Sequence, residues 1–319
     1  MASLDDVAAR EYHPRAMLKA EALLLATIFM GCAAIGNGQT APAATPLNWG
    51  ADDTTRAADL TGTGERREGK LVVLFTPAGA VDDAEEAALL DRLDRGMAAL
   101  RQVIGTHSWQ WTRPEQKTPF YISPGEFFVP HASPRDGGSV FIPLVRLQDG
   151  RAPYLHEAAH VLMPEFAVEI AADVDQLRRL RPTRALWLHE GLADYTSFMA
   201  AAQARVSAAD ALNIGGLVGA DAACKEHLRG PRGAEVLPFI GALGGPDGLF
   251  TTDRTAVGPA FYACARSYTA HLVKRIGLPA AIALTPLTPS GGVLPRIEQL
   301  TGTSMDALRA EWRAAIGVP

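Results

Sequence analysis

Cysteine is scarce in this chain, with three residues among 319, and Cys32, Cys224 and Cys264 form no C-x-x-C pair. That excludes cysteine-built zinc sites and thioredoxin-like redox chemistry, so any bound metal must rest on histidine and carboxylates. Positive charge is not in excess either: 30 Lys and Arg stand against 35 Asp and Glu, leaving a net charge of −5. Without a basic stripe to neutralise phosphates, nucleic-acid binding is a poor fit, and the mildly acidic balance speaks for solubility. Long apolar runs are missing too. The longest candidate, Ala22 to Ile35, is too short for a comfortable membrane span. No internal repeat is visible, which argues against solenoid architectures.

What is present is enough apolar material for a substantial core, 48% of the residues, in one large domain or two intimately packed ones. The Ala22 to Ile35 run follows Arg10, Arg15 and Lys19 and precedes Ala41-Pro42-Ala43, the layout of a secretory signal peptide. Phe29-Met30-Gly31-Cys32 resembles the lipobox of bacterial lipoproteins, so a lipid anchor is the alternative to soluble export, and an uncleaved N-terminal anchor is a third. Export to the periplasm or beyond would permit disulfides, and with Cys32 in the apolar run the available pair is Cys224 and Cys264.

Residues 1–36 are therefore expected to be a signal peptide or anchor. Residues 37–69, rich in Ala, Gly, Thr, Pro and Asp without apolar periodicity, read as a flexible linker without chemistry. A folded domain is expected over 70–319, with an α/β part to residue 163 and a helical part from 164. Lys70 to Thr76 suits a buried strand, and Asp82 with Glu85 can cap a helix whose Leu89, Leu93, Met97, Leu100 and Ile104 form one face. Further strands are expected at Phe120 to Ser123, Phe127 to Val129 and Val140 to Leu144, the last bordering a substrate cleft as an edge that an extended peptide can join. Helices follow at Pro153 to Pro164, at about 166–180, at Ala185 to about Ala202, at Pro259 to Ile276 and at the C-terminus. There Thr303 and Asp306 are expected to cap, and Leu308, Trp312 and Ile316 to face the core. The Gly- and Pro-rich stretch from Arg229 to Asp253 reads as loops. The order of elements implies an α+β fold, a small mixed sheet with helices against it.

The sequence His156-Glu157-Ala158-Ala159-His160 concentrates the chemistry. On a helix, residues four apart share a face, so both imidazoles can reach one ion while Glu157 flanks it as a general base. Zinc suits neutral imidazoles and in catalytic sites takes three protein ligands, leaving one position for water. Glu165, Glu169, Asp173, His189 and Glu190 are candidates for the third. His189 points about 100° away from Glu190 around a helix, so the two would not share an ion, and His189 reads as a surface or packing residue.

The segments Leu155-His156-Glu157-Ala158-Ala159-His160-Val161 and Trp187-Leu188-His189-Glu190-Gly191-Leu192-Ala193-Asp194-Tyr195 together resemble the gluzincin zinc metallopeptidases, in particular the aminopeptidase N-like and peptidase MA-like groups. The resemblance implies a zincin-like fold and zinc held by His156, His160 and Glu190. It also implies Asp194 hydrogen-bonded to a zinc-bound histidine, as in the thermolysin-like pattern. It continues into Pro259-Ala260-Phe261-Tyr262 and on to Gly277, where such enzymes carry an oxyanion-binding tyrosine; Tyr262 stands in that place, with Tyr268 and His271 as rivals. The connection between the two zinc helices is longer than in the aminopeptidase N group. The amine-capturing Gly-x-Met-Glu-Asn strand of that group has no counterpart, because Gly137-Gly138-Ser139-Val140-Phe141 lacks the carboxylate.

The expected activity is zinc-dependent hydrolysis of peptide bonds in a peptide or protein substrate, with Glu157 moving the proton and Tyr262 assisting the oxyanion. A zinc hydrolase acting on another substrate, or an inactive zincin-fold binding protein, are the alternatives. Retention of Glu157 weighs against the last.

Overall fold

Two-residue alternation along the strands decides how this protein is layered. The computed structural model describes residues 51–105, 115–124, 130–133, 135–164, 184–207, 219–247, 249, 257–290 and 292–318. Its first half runs α1 (Ala51–Thr63), β1 (Glu65–Glu68), β2 (Val72–Thr76), α2 (Asp83–Ile104), β3 (Thr118–Ser123), β4 (His131–Ser133) and β5 (Ser139–Pro143). Helices follow: α3 (Leu144–Gln148), α4 (Tyr154–Leu162), α5 (Leu186–Ala204), α6 (Ala220–Arg229) and α7 (Gly233–Val236). The last are α8 (Gly258–Ile276), α9 (Leu278–Ala283), α10 (Val293–Thr301) and α11 (Met305–Ile316). The fold is α+β, and the sheet is mixed: its order is β1-β2-β3-β5-β4, with β2, β3 and β5 parallel and the outer strands β1 and β4 antiparallel to their neighbours.

On one face of the sheet, Val72, Leu74, Phe120, Ile122, Val140 and Ile142 meet the apolar stripe of α2 and the motif helix α4. The other face carries a row of rings in register across four strands. Phe75, Tyr121 and Phe141 stack at centroid distances of 4.8 Å, and His131 follows at 5.5 Å from Phe141. Ala57 and Leu60 of α1 cover that row. Both faces of the sheet are thereby dry, as the largely parallel centre requires.

The stretch expected to be a linker over 37–69 is folded in its later part, as α1 and β1. Its composition gives no apolar stripe, and what holds it is tertiary. Asp53 is buried and both its oxygens lie 3.0 Å from His131 Nε2. Burial alone would raise the Asp53 carboxyl, but the hydrogen bond and charge of His131 outweigh it and hold it below its ordinary value.

A second correction concerns the strand before the motif helix. β5 is not an edge; it lies between β3 and β4, and the short β4 is the edge beside α4. At the C-terminus Ser304, not Thr303, caps α11, its hydroxyl accepting from the Ala307 N–H. Leu308, Trp312 and Ile316 are buried as expected. The Arg229 to Asp253 stretch contains α7 and a 3-10 turn at Leu237–Phe239 rather than loops throughout. Residues 1–50, the strand expected at Phe127 to Val129 and the helix expected at 166–180 lie outside the described residues. Among the described residues no helix is long and apolar enough to cross a membrane.

Asp82 caps α2 through the Glu85 N–H, and Asp83, Glu85 and Glu86 in the first turn complement the helix dipole. All nine residues of α4 are buried, between α2, α5 and the sheet. Its neighbour α5 packs most extensively on α8. That contact is close enough to demand glycine. A Cβ on Gly191 would lie 2.6 Å from the Ala265 carbonyl oxygen and 2.1 Å from Thr269 Oγ1. α8 is tied in turn to α6 by the disulfide Cys224–Cys264, the pair that the sequence leaves available.

Gly191→Ala must therefore part α5 from α8. Overpacking of this kind costs about 1–3 kcal/mol. Urea unfolding of the variant should show that loss, and an unchanged midpoint and slope would mean the two helices separate without cost.

Candidate metal centre

The motif helix α4 brings its two histidines to one face because they are four residues apart. Both are almost wholly buried, and their Nε2 atoms lie 3.1 Å from each other. Glu190, in the first turns of α5, completes a triangle. Its Oε2 lies 3.3 Å from His156 Nε2 and 3.4 Å from His160 Nε2. Three donor atoms from two helices are thus nearly equidistant. Tetrahedral coordination with bonds of about 2.1 Å sets neighbouring donors roughly 3.3–3.4 Å apart, so the triangle has the size that a small divalent cation requires.

The tautomer of His156 is set from behind. Its Nδ1 lies 2.6 Å from Asp194 Oδ1, one turn beyond Glu190 on α5, so Nδ1–H donates to the carboxylate and the Nε2 lone pair is turned to the triangle. His160 Nδ1 has no hydrogen-bond partner among the described residues. The other oxygen of Asp194 lies 3.4 Å from the Arg266 guanidinium of α8, and both side chains are buried.

Glu157 occupies the same cluster: donor atoms of His156, Glu157 and His160 all lie within 4.8 Å of one another. Burial pushes its carboxyl above the usual range, a trend that His156 and His160 oppose and Glu190 reinforces. Burial likewise disfavours a charged His156, yet the charge and hydrogen bond of Asp194, with Glu190 and Glu157, hold its pKa well above the ordinary histidine value. Glu190 is also opposed by burial, but the facing imidazoles, His160 first, hold its carboxyl well below normal. When ionised, Glu157, Glu190 and Asp194 carry three buried negative charges, and the buried cation paired with them among the described residues is Arg266. Protons on the imidazoles can make up the difference, and so can a dication in the triangle.

Of the three residues weighed on α8, the structure brings Tyr262 to the site, its ring 6.2 Å from that of His156. Tyr268 instead packs between Trp187 and Trp312, and burial pushes its phenol well up. His271 stacks against Tyr268. Among the third-ligand candidates, Glu165, Glu169 and Asp173 lie outside the described residues.

Of its two readings, surface or packing, His189 takes the second in the structure. It is buried, stacks on His160 at 4.0 Å between centroids, and places Nε2 4.0 Å from Glu190 Oε1. The Arg184 guanidinium lies 3.1 Å from its Nδ1. Guanidinium can only donate, so Nδ1 accepts and the ring proton sits on Nε2, on the side of Glu190. Donor atoms of His160, His189 and Glu190 nevertheless lie within 4.8 Å of one another, so His189 borders the donor cluster that the sequence reading kept it out of. Arg266 and Arg184 escaped the sequence reading. For Arg266 a signal existed, since it falls one turn after Tyr262 on the same face of α8.

Compared with protein-family models, with curated proteins and with solved structures, the chain matches none.

Because His156 holds its proton well above the ordinary pKa, a metal must displace it from Nε2. Loading the metal-free protein with a divalent cation at pH 7 should release about one proton per ion, and affinity should fall as pH falls. Titration calorimetry in buffers of different ionisation enthalpy reads this directly. Heats independent of buffer would mean that His156 is already neutral.

Proposed function

We propose that this protein is a zinc-dependent peptide hydrolase of gluzincin type with a zincin-like arrangement of its sheet and motif helix. The observation that carries this reading is the triangle of His156 Nε2, His160 Nε2 and Glu190 Oε2 with sides of 3.1, 3.3 and 3.4 Å. Two imidazoles and one carboxylate oxygen are the donor set of catalytic zinc with an open fourth position. His156, His160 and Glu190 would hold the ion, with Asp194 fixing the His156 tautomer. Bound zinc supplies a lowered pKa for water and a Lewis acid for the scissile carbonyl.

The remaining roles belong to side chains. Glu157, its pKa pushed up by burial, is suited to take a proton from water and return it to the leaving amine at the same carboxylate. The Tyr262 hydroxyl is the candidate donor for the negative charge that develops on the carbonyl oxygen. β4, the outer strand beside α4 in the order of the described strands, is where an extended peptide would add by backbone hydrogen bonds. The residues from Gly137 to Phe141 supply no carboxylate for a free amine, so the proposal does not extend to aminopeptidase specificity. A disulfide in the helical part agrees with an exported protein.

Glu157→Gln should retain zinc by metal analysis while lowering hydrolysis of an unfolded protein substrate by about 10²–10⁴-fold, the contribution typical of a general base. Turnover at the wild-type rate would remove Glu157 from that role. Glu190→Ala should lose the metal as well, and full occupancy in that variant would pass the third ligand to another carboxylate. A parallel panel of peptides and esters separates a peptidase from a zinc hydrolase of other substrates.

A further inference from the structure

Tyr262 and Arg266 lie four residues apart on α8, one beside the His156 ring and the other against the far oxygen of Asp194. The two side chains bracket the His156–Asp194 hydrogen bond. We infer that Arg266 is a positioning residue of the metal centre, acting on His156 through Asp194; this rests on the proposed zinc site and extends it by one more side chain.

The physical case begins with cost. Asp194 has no exposed surface and Arg266 is 2% exposed, so the protein has taken a long cationic side chain entirely out of water. A buried guanidinium is expensive unless it meets a charge, and a buried carboxylate has the same need. His156 meets one oxygen of Asp194 through an N–H at 2.6 Å, but an imidazole that offers its other nitrogen to a cation is formally neutral. The positive charge paired with Asp194 from within the described residues is therefore Arg266, at 3.4 Å from Oδ2. With the guanidinium on one oxygen, the other is presented to His156 Nδ1, and the ring cannot turn without breaking that bond.

The scaffold holds Arg266 in place. α8 is pressed to α5 at Gly191, where no side chain fits, and is tethered to α6 at Cys264, two residues before Arg266. The carboxylate and its guanidinium thus sit on two helices whose separation is fixed.

Zinc affinity of the full chain, measured by competition with a chelator, tests this in R266M, R266K, D194N and the D194N/R266M pair. R266M and D194N should each weaken zinc binding about 10–100-fold, R266K should recover most of the loss, and the pair should be no weaker than D194N alone. Losses that multiply in the pair, or wild-type affinity in R266M, overturn the inference. Cobalt substitution adds a signature: the visible spectra of R266M and D194N should change alike, and spectra that change differently count against it. Should R266M fail to fold, R266K and the pair, in which no lone buried charge remains, carry the same comparison. A metal-free readout separates this inference from the zinc reading. The ring ¹⁵N shifts of His156 should move in R266M, because the Asp194 carboxylate that holds its Nδ1–H is no longer fixed by the guanidinium; unaltered shifts overturn the inference, whereas a wild-type protein that takes up no zinc strikes at the proposed function alone.

Discussion

Three carboxylates, Glu157, Glu190 and Asp194, are buried within one helix pair, and the rest of the structure is built so that they can stay there. Removing ions from water costs several kcal/mol each even after relaxation, and only close opposite charge or saturated hydrogen bonding repays it. The repayment here comes from three helices at once. α4 supplies two imidazoles and Glu157, α5 the carboxylates of Glu190 and Asp194, and α8 the guanidinium. No two of these helices suffice. That is why α4 is buried over its whole length although it carries two histidines and a glutamate, and why α5 carries a glycine where it meets α8.

The sheet does a different job. Its inner face of Val, Leu, Ile and Phe gives α2 and α4 an apolar floor, and the row Phe75, Tyr121, Phe141 and His131 clamps the strands on the outer face. Tyr121 further anchors the turn before β5, its hydroxyl donating to Asp136 at 2.9 Å, where Asp136 adopts a left-handed backbone at φ 55°. A rigid sheet matters for a centre whose donor spacing must be kept to a few tenths of an ångström.

How far the sequence alone carries can be judged residue by residue. Strands and helices with clean periodicity were legible, as with Leu89 to Ile104 on α2, and so was the His156 to His160 pair, because one-turn spacing is local information. Glu190 and Asp194 became visible through family likeness, and the structure brings their oxygens to the histidines. The misses share a cause. α1 lacks an apolar stripe and depends on Asp53 finding His131 far along the chain. β5 looked like an edge because strand order is not written in strand composition. His189 could be read only as a surface or packing residue because its partners, His160 and Arg184, are spatial. The cap moved from Thr303 to Ser304 because neighbouring hydroxyls compete for the same N–H groups.

The two borders of the sheet are unlike each other, and this decides where a foreign strand can add. β1 reads Glu65-Arg66-Arg67-Glu68, charged at every position, with ion pairs to Asp83, Glu86 and Lys117. An incoming strand would have to line up against that charge, a common protection against intermolecular sheet growth. β4 is three residues long, His131-Ala132-Ser133, and uncharged but for the histidine that Asp53 already holds. Pairing there is not repelled, and it is brief. Among the described strands the charged border is thus the one guarded against sheet growth, and the short, weakly charged one is the border beside α4.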